Sequence, residues 1–387
     1  MADIRTYNKI DPKGLRELEL EGLSVSETEE KPQGLLIRSY KLHDAVFNPE
    51  LVAIARAGIG VDNLPIDRCT REGIAVFNAP GANAEGVKEL AVWALIMSSR
   101  DISGAIDWVK TLKGHENPAA EAEKGKAAFA GPEITGKTLG IIGLGAIGSR
   151  ISRAAVNLGM TVLGYDPYLS VDGAWGLSHK VHRAVDINTV YRESDYILVQ
   201  LHYTEQTHHM IDAEAISKMK PGVRIINLAR GEIVDNRAIL DGIDAGKVAR
   251  YVTDFPAEEI IDVPNIIVTP HIGASTPESE EKCAVLAARE LADYILNGNV
   301  RNSVNFPTVS LEREGVCRLC VFHRNVPRMI NSFLDIIGGE NINVEHMINK
   351  PRGDVAYTII DTGSPIREAM ADKIRALPDV MRVRVLA

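Results

Sequence analysis

Short apolar runs alternate with amphipathic stretches along most of the chain, and the pattern changes character twice. From about Gly34 to Ala79 the runs GLLIRS, LVAIARAG and IAVFNAP are separated by polar stretches of helical character, the pattern of a βαβ domain. EGVKELAVWALIMSSRD then predicts one long, strongly apolar helix crossing between domains. Between Gly136 and about Pro270 the alternation resumes, and KTLGIIGLG, TVLGYD, SDYILVQL, VRIINLA, ARYVTDF and NIIVTP read as strands. Amphipathic helices lie between most of them, which implies a parallel sheet covered on both faces. PESEEKCAVLAARELADYILNG predicts a further long helix that returns the chain to the first domain. After NVRNSVNFP the runs CRLCVFHRN, INVEHMINK and DVAYTIIDTG, with helical segments at 327–337 and 366–377, predict a β-α-β-β-α-β module of ferredoxin-like kind. The polar connector GHENPAAEAEKGKAAFAGPEITG is expected as a surface excursion.

A chain of 387 residues exceeds one ordinary core and implies two or three domains. A net charge of -9 excludes a broad electrostatic footprint for nucleic acid but leaves room for a local basic pocket. The N-terminal segment MADIRTYNKI has no apolar signal core, and no run approaches the length of a membrane span, so a cytoplasmic location is the default expectation. The four cysteines are scattered, as in a reducing compartment. Cys317 and Cys320 form a CxxC, but on a strand they point to opposite faces, which argues against a metal site.

LGIIGLGAIGSR places Gly143, Gly145 and Gly148 in G-x-G-x-x-G spacing, directly after an apolar strand and before a helix. In that context the first glycine permits the tight turn, the second lets backbone approach a pyrophosphate, and the third lets helix and strand pack closely. TVLGYD ends the next strand in Asp166, placed to accept bonds from ribose hydroxyls and to repel a 2′-phosphate. NAD is therefore expected over NADP.

Three strand ends in the same domain carry chemistry. Arg230 closes IINLAR with no acidic residue on either side in sequence, Glu258 and Glu259 follow YVTDFP, and His271 follows NIIVTP. The carboxyl ends of strands in an open parallel sheet converge on the ligand crevice. Oxidising a hydroxyl needs a base of suitable pKa, which histidine supplies, an acid that orients the imidazole and favours its charged form, and a cation for a substrate carboxylate.

ARAGIGVDN, FNAPGAN, GIIGLGAIG, GYDP, INLARGEIVD and TPHIGAST together resemble the D-isomer-specific 2-hydroxyacid dehydrogenases over nearly the first 310 residues. The resemblance implies an α/β chain with a Rossmann-type nucleotide-binding domain (91–283) inserted in a flavodoxin-like substrate domain (1–90 and 284–306). The C-terminal part, 307–387, resembles an ACT domain. By the same resemblance Arg230 binds the substrate carboxylate, His271 is the acid/base and an acidic residue orients it. An ungapped count from Arg230 puts Asp254 on the family's nicotinamide-contacting aspartate and Glu259 on its glutamate, whereas anchoring on Phe255 selects Glu258; the ungapped count satisfies two positions, and Glu259 is taken. The remaining cofactor contacts map to Ala146, Ile147, Leu228, Ala229, Ile272, Gly273 and Ala274.

Arg38 and Ser39, at a strand end of the outer domain, fall where relatives gather cations for a substrate phosphate. Tyr40 stands where some relatives place a second arginine, with Lys41 next to it as a candidate substitute cation, and Asn83 matches a substrate-side asparagine. Lys88 is a further cation near that region. A phosphorylated 2-hydroxy acid is the implied substrate. In the tail Asn325, Pro327 and Asn343 match positions that in related ACT domains bind serine across a dimer interface, but Arg328 replaces a glycine, which puts a serine effector in question. A homodimer or homotetramer is expected. Two alternatives are a glyoxylate or hydroxypyruvate reductase, which needs neither the outer cations nor the tail, and an NAD-sensing, corepressor-like binding protein, which needs no proton relay.

Overall fold

In a computed structural model describing residues 2–387, the strand-and-helix alternation begins upstream of where the sequence makes it plain. Strand β1 (Asp3–Tyr7) leads into helix α1 (Pro12–Leu20), followed by β2 (Ser24–Ser26), β3 (Gly34–Ile37), β4 (Ala53–Arg56), α2 (Ile66–Arg71) and β5 (Ala75–Phe77). α1 starts where it does because the Asp11 side chain accepts from the Lys13 amide and Pro12 takes the first helical position. The five strands pair in parallel in the order β2-β1-β3-β4-β5.

The second compact unit spans Ala84–Thr276. It opens with α3 (Ala84–Ser99), α4 (Ile102–Thr111) and α5 (Pro118–Gly125). The polar connector is thus partly helical: Asn117 caps α5 through the Ala120 amide, and Phe129 on the next 3-10 turn leans on Trp108 at 5.3 Å. Composition hid this helix, because no residue of it is buried. Then come β6 (Thr138–Ile142), α6 (Ala146–Asn157), β7 (Thr161–Tyr165), α7 (Val171–Trp175), β8 (Val181–Arg183), α8 (Ile187–Glu193) and β9 (Tyr196–Val199). α9 (Ala213–Lys218), β10 (Val223–Asn227), α10 (Asn236–Asp244), β11 (Val248–Thr253) and β12 (Ile266–Val268) complete it. Seven parallel strands run in the order β12-β11-β10-β9-β6-β7-β8. The order reverses between β6 and β9, and in such sheets the crevice at the reversal receives the ligand. α3 buries Val87, Ala91, Ala94 and Leu95 in the same cluster as Leu139, Ile141 and Ile226 of this sheet.

The first unit holds the residues up to Asn83 together with Pro277–Ala387. Its second part is α11 (Pro277–Asn297), β13 (Cys317–Arg324), α12 (Met329–Gly339), β14 (Val344–Arg352), β15 (Val355–Thr362), α13 (Glu368–Arg375) and β16 (Val380–Leu386). α11 packs Ala284, Ala287, Ala288 and Leu291 into one cluster with Ile4, Leu36 and Ala53 of the five-stranded sheet. The last four strands form an antiparallel sheet, β14-β15-β13-β16. One face of it, with Leu319, Val321 and Ile360, packs on Phe333 and Met370 of its two helices. The other face, with Phe322, Tyr357 and Ile359, merges into the α11 cluster, where Phe306 and Phe322 stack at 3.8 Å. Cys317 lies in the first cluster and Cys320 in the second, on opposite faces as their spacing predicts.

The boundaries of these units, at 83/84 and 276/277, differ from the sequence division, and the C-terminal sheet is part of the first unit. Buried Arg318 helps fix it there. Its guanidinium binds Asp361 twice, at 2.6 and 2.7 Å, and donates to the carbonyls of Asn297, Leu311 and Glu312. Among the described residues no helix is long and apolar enough to cross a membrane.

Candidate active site

The three glycines of the β6–α6 turn have three different surroundings. Gly143 has φ +100°, and a Cβ there would lie 2.2 Å from the Gln200 carbonyl. Gly148, in α6, leaves room for a Cβ only 2.0 Å from the Gly143 carbonyl, so helix and turn are in direct contact. Nothing lies within 4 Å of a Cβ on Gly145, which precedes Ala146 and Ile147 in the first turn of α6. Close packing at two positions and open space at the middle one is the cradle a pyrophosphate requires, at a helix N-terminus whose amides favour negative charge.

Asp166 directly follows β7, and its carboxylate accepts from the Leu144 and Tyr168 amides, both at 2.9 Å. The aspartate is therefore tied to the glycine turn itself.

At the end of β10, buried Asn227 builds the turn. Its side chain accepts from the Ala229 amide and donates to the Arg230 carbonyl. Leu228 and Ala229 are buried, and Arg230 donates to the Ala229 carbonyl at 2.7 Å. Asp254, after β11, is 2% exposed and accepts from the Thr269 hydroxyl and from the Ile272 and Gly273 amides at 2.6–2.8 Å. It organises the loop that carries His271, Ile272, Gly273 and Ala274. His271 holds a left-handed backbone, φ +55°, and its ring sits 4.8 Å from that of Phe255.

Glu259 and His271 line one cavity of about 640 Å³, and Glu258 does not line it. The Glu259 carboxylate accepts from Asn236 Nδ2 at 2.7 Å, and this bond, with one from its own backbone, holds its pKa below the usual glutamate value.

In the other unit, Arg38 follows β3 and pairs with Glu280 at 2.6 Å. Ser39 donates its amide to Asn8 Oδ1. Asn83 is 9% exposed, and its Oδ1 is buried with no hydrogen-bond partner. Lys88 belongs instead to the Ala84–Thr276 unit, where it sits beside Glu85 at 2.5 Å, with Arg150 on the same carboxylate at 2.9 Å.

Two residues were missed by the sequence reading. Arg56 ends β4 in register with Ile37, and its Nε donates to the Arg38 carbonyl at 3.0 Å. Two adjacent strands, GLLIR and AIAR, thus end in arginine, a signal visible once the strand-end rule is applied to the outer sheet. The second is Asn236, which no motif marks.

A doubly wound sheet with this glycine turn, and an acid and a histidine on neighbouring strand ends, defines a dinucleotide-dependent dehydrogenase. Residues 92–273 match the D-isomer specific 2-hydroxyacid dehydrogenase, NAD binding domain. D-3-phosphoglycerate dehydrogenase of Escherichia coli K12 is 31% identical over 91% of this chain and 86% of its own length. The corresponding enzyme 2 of Saccharomyces cerevisiae is 32% identical over 83% and 70%. That of Synechocystis is 35% identical over 67% of this chain, and the match spans only 45% of its length. An NAD+-bound 3-phosphoglycerate dehydrogenase from Entamoeba histolytica superposes with TM-score 0.61 and 26% identity, over 79% of this chain and 98% of that one. The chain belongs to the D-isomer specific 2-hydroxyacid dehydrogenases, and its cofactor is NAD.

Proposed function

We propose that this protein oxidises 3-phospho-D-glycerate to 3-phosphohydroxypyruvate with NAD, the first step of L-serine biosynthesis. The observation that carries the choice of substrate is the pair Arg38 and Arg56 on adjacent strand ends of the outer sheet, in a chain similar over 91% of its length to an enzyme of that name. Two guanidiniums suit a phosphate dianion far better than a neutral hydroxymethyl group. Glu280, now on Arg38, is the group a phosphate displaces. Asn83 supplies a substrate-side polar contact, consistent with its unpartnered oxygen.

NAD, when bound, supplies the hydride acceptor; Gly143–Gly148, Asp166, Leu228, Ala229, Asp254 and the 271–274 loop hold it. Arg230 clamps the substrate carboxylate, and His271 takes the hydroxyl proton as the carbonyl forms. Glu259 stabilises the resulting imidazolium, an assignment supported by its place in the cavity it shares with His271. The five-stranded sheet, in flavodoxin-like order, serves as substrate domain, and the β13–β16 module serves as an ACT-like regulatory and assembly domain of a cytoplasmic homo-oligomer. Arg328 adopts φ +72°, the backbone conformation a glycine takes, while adding a long side chain at the start of α12. Serine inhibition is therefore expected to be weak or absent in wild type and to gain strength in Arg328→Gly.

The test is NADH oxidation with 3-phosphohydroxypyruvate, hydroxypyruvate and glyoxylate, for wild type and Arg38→Ala. A preference for the phosphorylated acid that falls by roughly 10- to 100-fold without Arg38 is expected for a lost charge-assisted contact. Equal or better turnover of the unphosphorylated acids refutes the assignment and leaves a general 2-keto-acid reductase.

A further inference from the structure

Asn236 is the first residue of α10, a position where a polar side chain usually serves the helix start. Here that task is already done, because Asp235 accepts from the Arg237 and Ala238 amides. The Asn236 amide turns instead to Glu259, on the 3-10 turn Glu258–Ile260, and donates at 2.7 Å. We propose that Asn236 is a positioning residue for catalysis: it anchors the Glu259 carboxylate at the wall of the cavity shared with His271, from which the carboxylate serves the imidazole. This rests on the reading of Glu259 as the acid partner of His271.

The choice of an amide has a chemical reason. A lysine or arginine at 236 would also hold the carboxylate, but its charge would cancel the field that stabilises an imidazolium. An amide donates without bringing charge. The other titratable groups around the cavity do not take its place. Arg237 is drawn to Asp241 at 2.9 Å, and His209 stacks on His208 at 3.9 Å. Glu232 and Asp235 add negative charge, the latter already bonded to backbone, and Tyr251 is kept neutral by burial. Glu258, on the same turn as Glu259, stays outside the cavity lining. The bond to Asn236 is the largest influence lowering the Glu259 pKa, so the carboxylate stays ionised further into acid.

The experiment compares pH profiles of kcat/KM for 3-phosphohydroxypyruvate reduction in wild type, Asn236→Leu, Asn236→Asp, Asn236→Gln and Glu259→Gln. Removing the donor in Asn236→Leu should move the acidic limb up, because the bond that lowers the Glu259 pKa most is lost. Asn236→Asp, which places a like charge beside Glu259, should move it further, and Asn236→Gln, which keeps an amide, should move it back. A bond that only braces the helix predicts a uniform loss of rate with an unmoved limb, and that result overturns the proposal. If Glu259→Gln itself keeps the wild-type rate and limb, Glu259 is not the acid, and the reading beneath the proposal fails. An unmoved limb in all three Asn236 variants, with the limb abolished in Glu259→Gln, overturns the positioning role alone.

Discussion

Glu290 lies on α11 in the core of the first unit, 6% exposed, and takes no part in the proposed chemistry. One carboxylate oxygen accepts from Asn302 Nδ2 at 2.5 Å; the other is buried with no hydrogen-bond partner. Burial raises its pKa from 4.5 to about 7, against the smaller opposing effect of Asn302. A carboxyl whose folded pKa is raised keeps its proton in the native state over a range where the unfolded chain has lost it. Stability therefore falls as pH rises from about 4.5 to about 7, and is flat above. The two values differ by enough to remove about 3 kcal/mol across that window, at ~1.4 kcal/mol per unit. Glu290→Gln keeps an acceptor for Asn302 and cannot ionise. It should lie within about 1 kcal/mol of wild type near pH 5 and exceed it by more at pH 8, where a gain of about 3 kcal/mol corresponds to roughly 6–12 °C for a unit of this size. Scanning calorimetry at the two pH values is the assay, since heat capacity reports the first unit directly and all three tryptophans, Trp93, Trp108 and Trp175, belong to the second. If the variant keeps the full wild-type pH dependence between 5 and 8, Glu290 is not the group that titrates and the burial reasoning is wrong.

The glycine turn makes a paired prediction. Gly145→Ala should leave thermal stability within about 0.5 kcal/mol while weakening NAD binding at least tenfold by fluorescence titration, because its Cβ meets only the space a pyrophosphate fills. Gly148→Ala should instead cost about 1–3 kcal/mol of stability, since its Cβ would collide with the Gly143 carbonyl. Asp254→Ala strands the buried Gly273 amide and the Ile272 amide, so a loss of about 1–3 kcal/mol, with faster amide exchange confined to the 269–273 loop, is expected by hydrogen-exchange mass spectrometry. Arg318→Leu leaves Asp361 buried without its partner and should destabilise by about 3–5 kcal/mol in urea unfolding, whereas the double change with Asp361→Leu should recover only part of the loss, because the Asn297, Leu311 and Glu312 carbonyls still lack their donor.

The fold was legible wherever the physics is local. Period and length of apolar runs separated the central strands, and the glycine spacing located the β6–α6 turn, because each glycine answers a different steric demand within a few residues. The first strand was not read, since DIRTY is half polar and its burial alternates, which a search for continuous apolar runs passes over. The helix in the polar connector was hidden for the same reason: it is specified by a cap and a proline, with no buried face.

The candidate site could be proposed from residue type and strand end, but its pairings, which depend on side chains hundreds of positions apart, were illegible. Arg38 meets Glu280 across 242 positions, and no pattern in GLLIRS or PESEEKC announces that contact. Its consequence is functional. On the proposed reading of Arg38, a phosphate competes with a carboxylate already in place, and Glu280→Gln is then expected to raise affinity for the phosphorylated acid while leaving that for hydroxypyruvate unchanged. Parallel KM measurements on the two acids decide this, and an equal change in both would show that the ion pair does not guard the phosphate position. Asn236 and Glu259 repeat the lesson at shorter range. His271 and Glu259 are candidates by residue type and strand end alone, but the amide that bonds the Glu259 carboxylate comes into view only when α10 and the 258–260 turn are brought side by side.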